Sequence, residues 1–327
     1  GAALTALAEG LDAPVVTTIE GRGAISERHE LALGAQMDMA AMDSVFAQAD
    51  VVLAVGTRFQ QYSNVLKWLR FPGRLIHLDA DPAVIGRVHP ADVALVGDAR
   101  LGLDQLLAAV GDGRATHPDW VASCQRTRDE VVAQLRVDIG PDMDAIVDAI
   151  CSTLPDDAIV VKDATISAYL WANRIVPVTQ TRSSMRPTSQ AIGPGLPLAV
   201  GAATTGRTTV VVQGDGGLML SVGELATAAQ YDLALILCVF NDRGYGMLRF
   251  IQDMAVAGRR TGVELATPDF VALGTAFGVR SAHVATPAEF AAAFSAAVAA
   301  GGTWVLDVDI TSMAPMVITP QARPVRS

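Results

Sequence analysis

The chain alternates between short apolar runs and amphipathic stretches, with polar or glycine-containing breaks between them. In its first third, apolar runs at 13–18, 50–56 and 73–81 are separated by helix-forming sequence such as 39–48. Strands that alternate with helical segments are typical of parallel sheets with helices packed on both faces. This part of the chain is therefore predicted to be a doubly wound α/β domain.

The segment 109–119 interrupts this pattern with glycine, proline and polar residues, and a helix predicted over 120–137 follows it. A second alternation then begins. Its predicted elements are helices at 143–154, 195–204 and 221–231 and strands at 158–164, 208–213, 233–240 and 303–310. The predicted fold is α/β, with two doubly wound parallel-sheet domains in series. The predicted domain limits are 1–125 and 143–327, with a helical linker over 126–142.

Composition narrows the class of protein. The 327 residues carry a formal charge of −10, which repels nucleic acid phosphates, so no nucleic acid partner is expected. The longest apolar run, 233–240, is far shorter than the ~20 residues that span a bilayer, and no membrane segment is predicted. Cys124, Cys151 and Cys238 form no metal or disulfide spacing, which indicates reduced thiols and a cytoplasmic protein.

Two acidic residues follow two neighbouring predicted strands. Gly214, Asp215 and Gly216 end one strand, and Asp242 ends the next, 27 residues after Asp215. A right-handed crossover between parallel strands brings both ends to one edge of the sheet, where glycine-rich turns bind phosphates. Because two carboxylates repel a phosphate, the pattern predicts a hard divalent cation between them, most simply Mg²⁺.

A second Gly-Asp-Gly triplet, 111–113, serves as an internal control for this interpretation. It precedes a loop that contains proline and histidine, and the residue 27 positions beyond its aspartate is Ile139. Asp-Gly is also a common turn dipeptide. This second triplet is therefore predicted to be a plain turn.

The complete pattern is Gly-Asp-Gly, then "ELATA", then Asn-Asp with "YG" following. It resembles the diphosphate-binding motif of thiamine diphosphate (ThDP) enzymes of the acetolactate synthase and benzoylformate decarboxylase superfamily. The segments 18–35, 49–59 and 78–99 are similar to the central domain of that superfamily, and the segment 189–202 is similar to its aminopyrimidine-binding segment. The resemblance implies a central domain followed by a C-terminal domain that binds the ThDP diphosphate.

The resemblance also implies the site residues. Mg²⁺ would be held by Asp215, by the side chain of Asp242, where the family usually has asparagine, and by the carbonyl of Gly244. Ile192 is the candidate for the apolar wedge that bends the cofactor, and the alternative is that Ile192 is simply a core residue. The implied cofactor-binding residues are Ala164, Thr165, Gln190, Ile192, Gly214, Gly216, Gly217, Tyr245, Gly246 and Met247.

In this family a glutamate from an N-terminal pyrimidine-binding domain activates the cofactor. No such domain precedes Gly1 in this sequence, and Glu30 has flanks that match the central domain instead. We therefore expect no catalytic residue in this chain, an inactive chain when it is alone, and a pyrimidine-binding domain supplied in cis or in trans. The family implies a homodimer or homotetramer.

The resemblance implies a ThDP- and Mg²⁺-dependent decarboxylase or carboligase that acts on a 2-oxo acid. Ile251 replaces the tryptophan that acetolactate synthases carry past the motif, which weakens the case for acetolactate synthesis itself. The alternative is a non-catalytic fragment that binds the cofactor or acts as a scaffold. A nicotinamide enzyme is disfavoured because no GxGxxG opens a βα turn. FAD stays open as a second cofactor through residues 56–58 and Asp79, by analogy alone.

Overall fold

A computed structural model describes residues 1–61, 64–111 and 116–317 of the chain. It divides into two compact units, Gly1–Ala133 and the described part of Gln134–Pro320. The aspartate and the second glycine of the triplet at 111–113 lie outside the described residues. Among the described residues, no helix combines the length and the apolar character needed to cross a membrane.

The first unit is built on a small parallel sheet. Its strands are β1 (Val51–Val55), β2 (Gln60–Gln61), β3 (Asn64–Val65), β4 (Arg74–Asp79) and β5 (Val93–Val96), and its helices are α1 (Ala2–Leu11), α2 (Asp43–Gln48) and α3 (Ala99–Val110). Strands β1, β4 and β5 form the sheet in the order β1-β4-β5, and β2 and β3 form a separate antiparallel pair. Leu78 packs with Leu7 and Leu103 on one face of this sheet, whereas Leu75 packs with Phe46 on the other. Helices thus cover both faces.

The second unit contains the remaining strands and α-helices. They are α4 (Pro118–Thr153, which begins in the first unit), β6 (Ile159–Lys162), β7 (Ser184–Met185), α5 (Gly195–Ala203), β8 (Thr209–Gly214), α6 (Asp215–Leu218), α7 (Glu224–Gln230), β9 (Leu235–Asn241), α8 (Gly246–Ala255), α9 (Phe270–Ala276), β10 (Arg280–Val284), α10 (Pro287–Ala300) and β11 (Thr303–Asp309). Helix α4 breaks at Gly140, whose φ of 78° is not helical, and Pro141 follows. Proline and a left-handed glycine together explain the break.

The strands of the second unit form one parallel sheet in the order β10-β11-β9-β8-β6-β7. The chain passes from β6 to β7 on one side and then returns to β8 on the other side of β6. The strand order therefore reverses between β6 and β8. Ligands of open α/β sheets bind at such a switch point, outside the carboxyl ends of the strands.

Strand β9 shows why this sheet lies at the centre of the unit. Every residue from Leu235 to Asn241 is buried. Ile236 and Phe240 pack into the cluster that includes Phe290, whereas Leu237 packs into the opposite cluster with Leu196. Because side chains alternate along a strand, burial on both faces requires an apolar run such as 235–240.

The structure confirms the predicted fold class of two parallel-sheet α/β domains. It differs from the prediction at 13–18, where the apolar run supplies only a bridge between Val15 and Ala32. Strand β10 and helix α10, which the sequence did not single out, complete the far edge of the second sheet. The sequence between 280 and 300 is rich in alanine, so the contrast between apolar and polar positions that would predict these elements is weak.

Helix α10 offers a local test of stability. Thr286 caps it by accepting the Glu289 N–H at 3.3 Å, and Glu289 accepts the Thr286 N–H at 3.1 Å in return. Replacing such a cap with alanine costs about 1 kcal/mol. Thr286→Ala is therefore expected to lower the free energy of unfolding in urea by about 1 kcal/mol, whereas Thr286→Ser keeps the hydroxyl and most of the stability. Equal stability of the two variants would contradict the capping role.

Candidate functional site

The candidate site lies at the carboxyl edge of the second sheet. Strands β8 and β9 are parallel neighbours, and Gly214 at the end of β8 pairs with Phe240 near the end of β9. Neighbouring strands lie about 4.8 Å apart. Asp215 and Asp242 follow these two strand ends directly, so the topology of the sheet places them side by side.

The two carboxyl groups are in contact, with Asp215 buried and Asp242 half-buried. Asp215 is 1% exposed, its Oδ2 accepts the Gly244 N–H at 2.9 Å, and its carboxyl group is within hydrogen-bonding reach of Asp242. Burial raises the pKa of Asp215. Burial, and then repulsion by Asp215, raises the pKa of Asp242 to about 6. A pair of carboxylates held this close is stabilised by a cation or by a shared proton.

The turn after β9 is fixed by Asn241, a residue that sequence reasoning did not assign to the site. Its Oδ1 accepts the Arg243 N–H at 3.1 Å, and its Nδ2 donates to Asp307 at 3.0 Å. Arg243 has a φ of 57°, a left-handed conformation that needs such support. The asparagine before Asp242 was the available signal, because Asn side chains commonly bond to backbone two residues later.

The segment after this turn pairs with a second segment of the same unit. The Tyr245 N–H donates to the Val263 carbonyl at 2.9 Å, and the Leu265 N–H donates to the Arg243 carbonyl at 3.0 Å. Gly244 lies between them, and a Cβ there would collide with the Val263 carbonyl. Glycine is therefore required for this close backbone approach beside Asp215.

The glycines of the turn after β8 are also closely surrounded. A Cβ on Gly216 would collide with the ring of Tyr245, and one on Gly217 would collide with the carboxylate of Asp163. A Cβ on Gly214 would lie 3.2 Å from Oγ1 of Thr165. The structure thus brings Tyr245 and Thr165 against the same turn.

Asp163 is a buried acid at the end of β6 that sequence reasoning missed. It is 3% exposed, and burial raises its pKa. Its Oδ2 accepts the Gly193 N–H at 2.8 Å and the Gln213 Nε2–H at 3.0 Å. The Gly193 carbonyl accepts the Ser221 hydroxyl at 2.7 Å. Asp163 and Ser221 therefore tie the loop before α5 to the ends of β6 and β8.

That loop carries the two candidates for pyrimidine contact. Ile192 is 37% exposed, so it is not enclosed in the core of this chain. Gln190 has a φ of 59°, and its N–H donates to the Pro187 carbonyl at 3.2 Å. Gly193, with a φ of 103°, then turns the chain into α5. The loop therefore presents an accessible apolar side chain next to the turn after β8.

The remaining candidates flank the same edge. Ala164 and Thr165 follow β6 directly, and the Thr165 N–H donates to the Asp163 carbonyl at 3.0 Å. Gly246 begins α8, and a Cβ there would collide with the carboxylate of Asp242. Met247 is half-buried in the first turn of α8.

Glu30 and Glu224 each make hydrogen bonds within their own unit. Glu30 is exposed in the first unit, and its carbonyl accepts a bond of 2.9 Å from Gln125. Glu224 accepts the Thr227 hydroxyl at 2.9 Å within α7.

The donor set at this edge suits a magnesium diphosphate. Paired carboxylates and nearby backbone carbonyls are the oxygen ligands that Mg²⁺ prefers, and closely packed glycine turns let backbone N–H groups approach an anion. Within the described ranges, no group of three or more His, Cys, Asp or Glu side chains could hold a metal ion. A metal at this edge would therefore need oxygen ligands from the backbone or from the diphosphate besides Asp215 and Asp242.

Comparisons with known proteins identify the two units. Residues 1–106 match the central domain of thiamine pyrophosphate enzymes, and residues 166–308 match their C-terminal TPP-binding domain. Thiamine pyrophosphate (TPP) is another name for ThDP.

Three relatives are similar over most of this chain. A probable acetolactate synthase large subunit of Methanocaldococcus jannaschii is 29% identical over 96% of the chain and 56% of the relative. A probable 2-ketoarginine decarboxylase of Pseudomonas aeruginosa is 35% identical over 85% and 50%. The acetolactate synthase isozyme 3 large subunit of Escherichia coli is 30% identical over 88% and 52%.

The chain spans about half the length of the curated relatives that it matches. The two matched domains together cover most of the chain. The central domain corresponds to the first sheet, and the C-terminal TPP-binding domain corresponds to the second. The chain therefore belongs to the thiamine pyrophosphate enzymes and carries their central domain and their C-terminal TPP-binding domain.

Proposed function

We propose that the protein containing this chain is a ThDP- and Mg²⁺-dependent enzyme that decarboxylates a 2-oxo acid. The carbon fragment left after decarboxylation is released as an aldehyde or joined to a second carbonyl compound. The observation that carries the proposal is the close pair of buried Asp215 and half-buried Asp242 beside the glycine turns. The relatives are named as acetolactate synthases and a 2-ketoarginine decarboxylase, which supports this reaction class.

The proposed roles follow from the position of each residue. Bound ThDP supplies the electron sink for decarboxylation. Asp215, Asp242 and the Gly244 carbonyl hold Mg²⁺, and Ile192 and the backbone of Gln190 orient the pyrimidine. The residues proposed to surround the diphosphate and the adjoining part of the cofactor are Ala164, Thr165, Gly214, Gly216, Gly217, Tyr245, Gly246 and Met247.

We further propose how the chain is organised. Residues 1–125 form the central domain, 126–142 a helical linker and 143–327 the diphosphate-binding domain. A pyrimidine-binding domain, on the same polypeptide or on another, supplies the activating glutamate, so this chain alone is inactive. The complete enzyme is a cytoplasmic homodimer or homotetramer. FAD stays open as a second cofactor of the central domain, on analogy alone.

Ile251 bears on the choice of reaction. It is 45% exposed on α8, at the position where the resemblance places a tryptophan in acetolactate synthases. A smaller aliphatic side chain there favours simple decarboxylation or a carboligation other than acetolactate synthesis. The alternative function is a non-catalytic cofactor-binding or scaffold chain.

The test uses the natural gene product purified from its source. It is expected to release CO₂ from at least one member of a 2-oxo acid panel that includes pyruvate and 2-ketoarginine. Dialysis against EDTA is expected to abolish this release, and ThDP with Mg²⁺ is expected to restore it, because the carboxylate pair repels the diphosphate when no cation is bound. ThDP binding without CO₂ release from any 2-oxo acid would favour the non-catalytic alternative, and absence of ThDP binding would contradict the cofactor assignment.

A further inference from the structure

Arg249 lies against the carboxylate pair, although nothing in the sequence motif marks it. It is in the first turns of α8, and its side chain is only 15% exposed. Its Nη1 donates to the Asp242 carbonyl at 2.9 Å and lies 3.4 Å from Oδ2 of Asp242. Its Nη2 donates to the Arg243 carbonyl at 2.8 Å. The guanidinium therefore contacts both the carboxylate and the backbone of the turn that carries Asp242.

A second set of contacts holds Arg249 in place. Its Nε donates to Glu264 at 3.0 Å, and Glu264 lies on the segment that pairs with residues 243–245. A Cβ on Gly244 would collide with the Arg249 guanidinium, so the space that the glycine leaves is filled by this charge. Arg249 is thus fixed beside the site rather than free to move through solvent.

The contact between Arg249 and Asp242 matters because the site already carries negative charge. Asp215 and Asp242 together carry two negative charges when Mg²⁺ binds, and a diphosphate brings more. The Glu264 side chain is 66% exposed and screened by water, so its charge acts weakly on the site. The side chains of Arg249 and Asp242 are only 15% and 19% exposed, so water screens their interaction less, although their 3.4 Å separation is longer than the 2.5 Å between Nη2 of Arg249 and Glu264.

We propose that Arg249 compensates the charge of Asp242, so that the site accepts a magnesium-bound diphosphate while keeping two carboxylates. This inference rests on the proposed function. Arg249 is a positioning residue that acts through Asp242 and needs no contact with the cofactor.

The inference predicts that the importance of Arg249 depends on the charge at position 242. Arg249→Met leaves Asp242 uncompensated and is expected to raise the Kd for ThDP at saturating Mg²⁺ about tenfold, the equivalent of ~1.4 kcal/mol. In an Asp242→Asn background, where an oxygen ligand is kept and the charge is removed, the same substitution is expected to change the Kd less than about threefold. Arg249→Lys keeps the charge but loses the forked guanidinium contacts, so it is expected to raise the Kd less than Arg249→Met does.

The measurement is isothermal titration of ThDP into the natural gene product in excess Mg²⁺. Arg100→Met is the matched control, because Arg100 pairs with Asp104 at 3.5 Å on the exposed face of α3, and it is expected to leave the Kd unchanged. If Arg249→Met lowered the affinity for ThDP equally in both backgrounds, Arg249 would only support the turn, and the inference would be overturned. An unchanged affinity for ThDP after Arg249→Met in the protein that keeps Asp242 would overturn the inference as well. Failure of the unsubstituted protein to bind ThDP would contradict the proposed function instead.

Discussion

Asp215→Ala is expected to lower the affinity for ThDP in the presence of Mg²⁺ by about 100-fold or more, because it removes a proposed metal ligand and not merely a supporting contact. The same change removes the acceptor of the Gly244 N–H and so loosens the turn that carries Asp242, the second proposed ligand. Loss of the ligand and loss of the turn geometry therefore act in the same direction.

The measurement is ThDP titration at saturating Mg²⁺, accompanied by urea unfolding. Removing one buried carboxylate relieves the repulsion with Asp242, so the metal-free protein is expected to keep its fold. Asp104→Ala, on the exposed face of α3, is the control and is expected to leave binding unchanged. Unaltered ThDP affinity in the stably folded Asp215→Ala protein would overturn the assignment of the metal site.

Much of the fold follows from simple sequence patterns. Fully apolar runs such as 233–240 predict buried strands, and the βαβ unit from β8 to β9 predicts parallel strands whose ends share one edge. Residues 13–18 show the limit of that reasoning. This run has the composition of a strand, but strand formation depends on a neighbouring strand to pair with, and only the bridge from Val15 is made.

The contacts that support the candidate site were harder to predict. Asp163 reaches Gly193, 30 residues away, and Arg249 reaches Glu264 across a loop. Such contacts depend on the direction of side chains after the loops have closed, and hydrophobic periodicity carries no information about that direction. The motif predicts which turns face the cofactor, whereas the buried polar network that fixes those turns emerges only from the tertiary structure.

Gly217→Ala tests this network and is expected to destabilise the protein by about 2–4 kcal/mol. Gly217 lies in α6 without an unusual φ, so a methyl group costs nothing through backbone strain. The cost arises because the new Cβ would collide with Oδ2 of Asp163, the atom that accepts the bonds from Gly193 and Gln213. Relieving the collision breaks at least one of these buried hydrogen bonds.

The displaced Asp163 no longer holds the loop that carries Ile192, so ThDP affinity is expected to fall together with stability. Urea unfolding measures the first effect, and ThDP titration at low temperature, where the variant stays folded, measures the second. Gly223→Ala is the matched control, since a Cβ there meets no atom within 4 Å and its φ of −57° suits alanine. It is expected to leave ThDP affinity unchanged and to keep or raise stability by up to about 1 kcal/mol. If Gly217→Ala proved as stable as Gly223→Ala, the carboxylate of Asp163 would have to move freely, and its assigned part in fixing the loop would be wrong.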